Sequence, residues 1–240
     1  MFFAIAGGVA AFGVVLVVLG VKKGGLKSQI GATPTTPIGQ LNEGQHAEIK
    51  GVASTEHPIE APGFDAPCVY YSYTLKRKVR RESSSGGSAS YHWKTIDSGS
   101  NRTPFVVTDA DGSVKVDPAD ANIDAPQVVD RYVKAGEKIG EMAEGPLKTI
   151  LTAAAAFGAG QREKLQVRAI QTGREVYILG DVRRAADGAL CVAKGEAEFF
   201  ISTKSEEELQ RSLGRQSIAF HLAAAVAFAA AIALLIYGLR

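Results

Sequence analysis

Cysteine is scarce in this chain, and so is every arrangement of residues that announces a familiar chemistry. Cys68 and Cys191 are the only two, they form no CxxC pair, and they neither require nor exclude an oxidising compartment. His46, His57, His92 and His221 stand apart from one another with no HExxH pair for zinc. The glycines form neither GxGxxG nor a Walker A loop, so no phosphate cradle is legible. An excess of one charge is missing too. Lys and Arg number 27 against 25 Asp and Glu, and a net +2 spread over this length gives no case for a nucleic-acid partner, which needs a strong basic excess on one face. With 46% hydrophobic residues, disorder is excluded as the main state.

The apolar residues that are present concentrate at the two ends. Met1 to Val21 holds no charged residue and is long enough, as a helix, to cover the roughly 30 Å hydrocarbon core of a bilayer. It starts apolar at once and closes on Lys22-Lys23, the reverse of a cleavable signal peptide, so it reads as an uncleaved anchor that Gly24-Gly25 terminates. Ile218 to Leu239 is a second span, with His221 and Tyr237 as its clearly polar side chains. His221 lies four positions in and reads as interfacial, ahead of a buried proton-handling role. Ala223, Ala227 and Ala231, and Ala4 with Gly8, recur every four residues as small faces for helix packing. Lys22, Lys23, Lys27, Arg211 and Arg215 flank the spans on the side of the middle domain, and that count favours a cytoplasmic domain.

Between the spans, Lys22 to Gly39 is rich in Gly, Pro and Thr and reads as a linker. Strands are expected at His46–Ala53, at Cys68–Leu75 running on to Arg81, and at Tyr91–Asp97, Phe105–Thr108, Ser113–Val116, Leu165–Ile170, Glu175–Val182, Ala189–Ala193 and Glu198–Ser202. Val69, Tyr71, Tyr73 and Leu75 are expected on one face of their strand, and Glu175–Leu179, apolar on both faces, in the centre of a sheet. Pro58–Pro67 and Ser83–Ser90 read as loops, and Asp130–Phe157 shifts toward helix. Ser205 with Glu208 makes a capping box that opens a helix able to continue through the second span.

Four constellations invite a chemical reading, and each has a plainer one that outweighs it. Cys68 as a nucleophile yields to a small buried strand residue. Asp109-Ala110-Asp111-Gly112 with Asp117 and Asp120 resembles a calcium loop but lacks the twelve-residue spacing, so a hairpin turn is favoured. Lys76, Arg77, Lys78, Arg80 and Arg81 would suit anionic lipid, against a solvated strand end. Leu147–Phe157 as an interfacial helix yields to a packed one, its alanines burying too little surface.

Taken together, PTTPIGQLNEGQHAEIKGVA at Pro34–Ala53, APCVYYSYTL at Ala66–Leu75, Trp93, PFVVTDADGSVKVDP at Pro104–Pro118, GREVYILGDV at Gly173–Val182 and FFISTKSEEEL at Phe199–Leu209 resemble the GIDE domain. That domain is also called BAM, for "beside a membrane". It lies between the two spans of mitochondrial-anchored RING-type E3 ubiquitin and SUMO ligases and occurs in prokaryotic membrane proteins as well. The resemblance implies a domain in the mitochondrial intermembrane space, opposite to the side that the charge count favours. It does not carry ligase activity over, because a RING needs eight Cys/His ligands for two zinc ions and this chain holds two Cys and four His.

The expected architecture is α+β: a mostly β globular domain flanked by two transmembrane α-helices. Its divisions are a helix at 1–21, a linker at 22–39, a GIDE/BAM-like domain at 40–204, a juxtamembrane helix at 205–217 and a helix at 218–239. The expected role is a binding or scaffold module at the membrane surface. The alternatives are a RING-less relative of an E3 ligase and a subunit of a membrane complex. No catalytic, cofactor-binding or metal-binding residue is assigned. The expected partners are the lipid bilayer, a protein whose identity the sequence does not give, and a second copy through the small-residue faces of the spans.

Overall fold

The computed structural model describes residues 2–81, 90–133 and 162–238. It divides into a helical unit, 1–35 with 204–240, and a β unit, 36–203.

The helical unit pairs two antiparallel helices, α1 (Phe2–Ala32) and α2 (Glu206–Gly238). Both are long and apolar enough to cross a membrane. Little of either apolar stretch is buried, and Phe12, Val15, Val18, Leu222, Val226 and Ile232 all point outward. That pattern differs from the core helix of a soluble protein, whose apolar face is covered. A side chain added at Gly13 would meet the ring of Phe228, one at Gly20 would meet His221, at Gly24 Ser217, and at Gly31 Gln210. These contacts fix one antiparallel register, which a hydrogen bond from Ser217 Oγ to the Gly20 carbonyl (3.0 Å) supports. On α1, Ala6, Gly13 and Gly20 are buried at sevenfold spacing, as are Ala224 and Ala231 on α2. The seam therefore follows the heptad of helix pairs rather than a fourfold repeat. Ala227 and Ala231 lie on it, whereas Ala223, Ala4 and Gly8 are exposed.

One expectation changes here and one holds. Gly24-Gly25 does not end α1, which continues to Ala32 through much of the expected linker. Each interior glycine costs about 1 kcal/mol against alanine, but Gly24 and Gly31 sit where the partner helix approaches closely, so packing offsets part of that cost. At the other end, Ser205 caps α2 as its sequence implies, its hydroxyl accepting from the Glu208 N–H at 3.3 Å. From there α2 runs unbroken past Gly214 to Gly238.

Among the described residues the β unit holds β1 (His46–Ser54), β2 (Ile59–Ala61), β3 (Phe64–Arg81), β4 (Ser90–Arg102), β5 (Phe105–Thr108), β6 (Ser113–Val116), β7 (Asn122–Asp124), β8 (Gln127–Val133), β9 (Glu163–Gln171), β10 (Glu175–Arg184), β11 (Leu190–Ala193) and β12 (Phe200–Ser202). Five of these close a barrel in the order β1-β5-β6-β11-β10 and back to β1. Within it the β6–β11 pair is parallel and the other pairs are antiparallel. A five-stranded Greek-key barrel of this connectivity has the OB topology. Its interior alternates as the pleat requires: Ala47, Ile49 and Ala53 from β1 meet Val107, Val114, Val116, Val176, Ile178, Val182 and Val192. Antiparallel β12 and then parallel β7 extend the sheet outward from β10. As expected, β10 is central, and Val176 to Gly180 are all buried.

Two excursions from the barrel build a second sheet. The chain between β1 and β5 supplies β2, β3 and β4, and the chain between β6 and β10 supplies β8 and β9. Tyr70 pairs with Arg102 on β4 and with Ile170 on β9, so β3 is central, with β4 and β9 on opposite edges. A register shift in the β3–β9 ladder between Cys68 and Tyr70 splits the face expected for Val69 to Leu75. Val69 joins the barrel core, whereas Cys68, Tyr71, Tyr73 and Leu75 pack in a second core with Val129, Leu165, Val167 and Ala169. One extra residue in a ladder turns every later side chain over, which alternation alone does not reveal.

The loop expected at Pro58–Pro67 is a hairpin. Pro62 presets the turn and Gly63, at φ +66°, completes it, while the irregularity beside Glu60 and Ala61 accommodates Pro67 in the ladder. The helix expected from Asp130 is strand as far as Val133, because its residues pair with Glu163–Gln166 of β9. The remainder of that expectation, the Leu147–Phe157 reading and most of the Ser83–Ser90 loop lie outside the described residues.

Candidate functional site

Because β1 sends Ala47 and Ile49 into the barrel, His46, Glu48 and Lys50 face outward, and by the same alternation β10 turns Tyr177, Leu179 and Asp181 outward. The β1–β10 register sets His46 directly opposite Asp181 and Lys50 opposite Tyr177, so a polar strip crosses the ladder. Its centre is Glu48, a carboxylate with no exposed surface. Tyr177 Oη donates to Glu48 Oε2 at 2.6 Å, and Lys50 Nζ lies 3.3 Å from Oε1 and 5.8 Å from the Tyr177 ring centroid. Both carboxylate oxygens thus have a partner, as a buried charge requires.

At the end of the strip His46 Nδ1 lies 2.5 Å from Asp181 Oδ1. The carboxylate holds the proton on Nδ1, which leaves Nε2 as the second polar atom of the ring. Nε2 is buried and has no hydrogen-bond partner among the described residues. Asp181 is confined in turn, since a Cβ at Gly195 would sit 1.6 Å from its second oxygen. An oriented His–Asp pair is half of a general-base arrangement. Here no hydroxyl or thiol completes it among the described residues, so the pair orients a ring without presenting it to a nucleophile.

A cleft of about 460 Å³ opens where the second sheet meets the barrel. Phe64, Pro126, Val128 and Ala169 form its apolar floor, and Gln127, Gln171, Arg174, Glu175 and Thr203 its polar rim. Its lining is thus divided about evenly between apolar and polar groups.

The residues singled out by sequence scatter. Cys68 is fully buried, its Sγ lies 3.2 Å from the Ala66 carbonyl, and burial pushes its thiol up to about 11, so it packs and does not attack. Cys191 is half-buried, both cysteines are free thiols, and they lie in different sheets. Asp109 accepts from the Asp111 and Gly112 N–H groups (2.8 and 2.9 Å) and, through its other oxygen, from Ile38 N–H (2.8 Å). Desolvation opposes ionisation there, but those donors outweigh it and hold the carboxyl below its ordinary value. The acidic loop is therefore a hairpin turn, as the spacing favours, and no group of three metal-ligating side chains occurs among the described residues. Arg77 of the basic stretch is bound to Glu163 through two nitrogens, 2.9 and 2.6 Å from Oε1. His57 is exposed on the segment leading into β2, His92 is exposed on β4, and His221 packs over Gly20 in the helical unit.

The strip itself is not legible in the sequence. Its two halves, HAEIK and YILGD, are 129 residues apart at Glu48 and Tyr177, and only strand pairing unites them. The one local signal is a charge at every second position of a strand whose alternate residues are apolar.

A β domain with a closed five-stranded barrel and a grafted second sheet, flanked in sequence by two helices long and apolar enough to cross a bilayer, defines a class of α+β proteins with two candidate membrane spans. The family model described as "GIDE: E3 Ubiquitin ligase" matches residues 76–236, more than half of the chain. The chain belongs to the GIDE family. No curated protein matches it.

Proposed function

We propose that the protein is anchored by α1 and α2 in a bilayer and presents its β unit at the membrane surface as a binding module. The observation that supports this most is the insertion of an entire two-sheet domain between two paired helices whose outward faces are apolar. Apolar faces of this extent mark a contact with membrane or protein, and the length of both helices suits the hydrocarbon core of a bilayer. Alkaline extraction and flotation of the full chain with vesicles test it: the protein should stay with lipid, and release into the soluble fraction without detergent would end the reading. The charge count around the helices favours a cytoplasmic β unit. Labelling of single cysteines introduced at exposed positions, in sealed membranes, reads that side directly.

A second reading follows from the family description, which names a ligase. Zinc analysis separates the two. Stoichiometric zinc in the purified chain would contradict a count of two Cys and four His and reopen ubiquitin transfer.

A further inference from the structure

In the second sheet, Leu75 of β3, Leu165 of β9 and Val133 of β8 pack with the core. Their neighbours Lys76, Lys164 and Tyr132 therefore project from the opposite face. Direct pairing adds Lys78 with Trp93 and Arg80 with Tyr91 to that face. Tyr91 (59% exposed), Trp93 (39%) and Tyr132 (57%) are the exposed aromatic residues described in the β unit, and all three gather here. The rings of Trp93 and Tyr132 meet at 6.0 Å across the intervening strands, and Lys78 Nζ lies 5.0 Å from the centroid of Tyr91. Among the described residues, Lys164 spends its charge on Asp130 at 2.7 Å, whereas Lys76, Lys78 and Arg80 form no ion pair. The face is thus aromatic and cationic.

We propose that this face docks on the surface of an anionic phospholipid bilayer. Tyrosine and tryptophan rings favour the headgroup level, where an apolar body and a polar edge are both satisfied, and lysine stems lie along them with the charge in the phosphate layer. A protein partner would select against lysine at the centre of its interface, yet Lys76 and Lys78 are central here. The proposal rests on the anchored reading, which keeps a bilayer within reach of the domain at all times. It gives the binding module its first partner, with affinity set by lipid charge.

Trp93 is the only tryptophan of the chain and reports on this face without modification. The full chain is reconstituted into vesicles of phosphatidylcholine, with or without phosphatidylserine, each carrying the same fraction of headgroup nitroxide-labelled lipid. Flotation of both samples checks the anchored reading first, and failure to float refutes that reading alone. Trp93 should be quenched more strongly and emit at shorter wavelength in the anionic vesicles, and high salt should reverse both effects. The triple variant Lys76→Gln, Lys78→Gln, Arg80→Gln should weaken docking on the order of 100-fold, at about fivefold per cation. Arg77, which holds Glu163, is left intact in that variant. The salt titration of the unaltered chain decides the matter even if the variant misfolds. Equal quenching in the two lipid mixtures would overturn the proposal. So would a shift of Trp93 emission by a polyglutamate peptide in neutral vesicles that phosphatidylserine does not reproduce, which would identify an acidic protein as the occupant.

Discussion

Replacing Tyr177 with phenylalanine removes one oxygen from the outside of the barrel and tests how the buried Glu48 is tolerated. The carboxylate has no exposed surface, and the tyrosine donates to it at 2.6 Å. A hydrogen bond to a charged group contributes about 1.5–3 kcal/mol, and leaving the acceptor under-satisfied forfeits that amount. Lys50 is different. Its Nζ is 3.3 Å from the same carboxylate, but its side chain is 35% exposed, so solvent screens the pair and Lys50→Met should cost about 0.2–1 kcal/mol. In a domain of this size each kcal/mol moves Tm by about 2–4 °C, which puts Tyr177→Phe about 3–12 °C below the parent and Lys50→Met within about 4 °C of it. The β-sheet circular dichroism of the full chain, followed on heating in detergent, measures both, and a cycle with Glu48→Gln isolates the coupling. A larger loss for Lys50→Met than for Tyr177→Phe, or additive losses in the cycle, would refute the ranking of the two contacts.

Two further outcomes follow from individual groups. Cys68, buried and with its thiol pushed up to about 11, should remain unmodified by iodoacetamide at pH 8 while Cys191 reacts, as read by mass spectrometry of the folded chain. Asp109→Ala removes the acceptor of three backbone N–H groups and should cost about 1–3 kcal/mol. Because the folded carboxyl titrates below its unfolded value, the stabilisation is complete above the ordinary carboxylate range and disappears as pH falls through the folded value. Acid unfolding of the variant should therefore lose that component between those two points.

How much of this was readable in the chain depends on the distance between interacting residues. Ser205 and Glu208 are one helical turn apart, and the cap they announce is present. Phe105–Thr108 and Ser113–Val116 occur with the boundaries that alternation sets, since a local turn through Asp109 fixes their register. By contrast, β7 and β8 are short or polar and depend on partners far along the chain, such as Phe200–Ser202 for β7. The barrel closes through the β1–β10 ladder, whose partners are more than 120 residues apart. Periodicity shows that each strand has an inner face but not which strand lies beside it. For the same reason Glu48, Tyr177, His46 and Asp181 looked like four ordinary residues until pairing brought them together. Trp93 and Tyr132, on β4 and β8, are a similar case.

The helical unit makes a prediction opposite to the one its sequence invites. With Gly24-Gly25 as a helix stop, two residues inserted after Gly25 would be absorbed by a linker and change nothing. In the structure α1 is helical through that point, and Lys27 and Gly31 beyond it face Gly214 and Gln210 of α2. Two extra residues turn everything downstream by about 200°, at about 100° each. Positions before the insertion keep their partners, and those after it are carried to the other side of α1. Cysteine pairs read this directly in a chain whose own Cys68 and Cys191 are replaced by serine. Gly24→Cys with Ser217→Cys should cross-link with or without the insertion, whereas Gly31→Cys with Gln210→Cys should cross-link only without it. An insertion after Gly214 should give the same pattern from the other helix, turning Gln210 away from Gly31 while leaving Ser217 against Gly24 and His221 against Gly20. Cross-linking of the Gly31–Gln210 pair that survives the insertion after Gly25 would show that α1 ends at the glycines and that its last turn is not part of the seam.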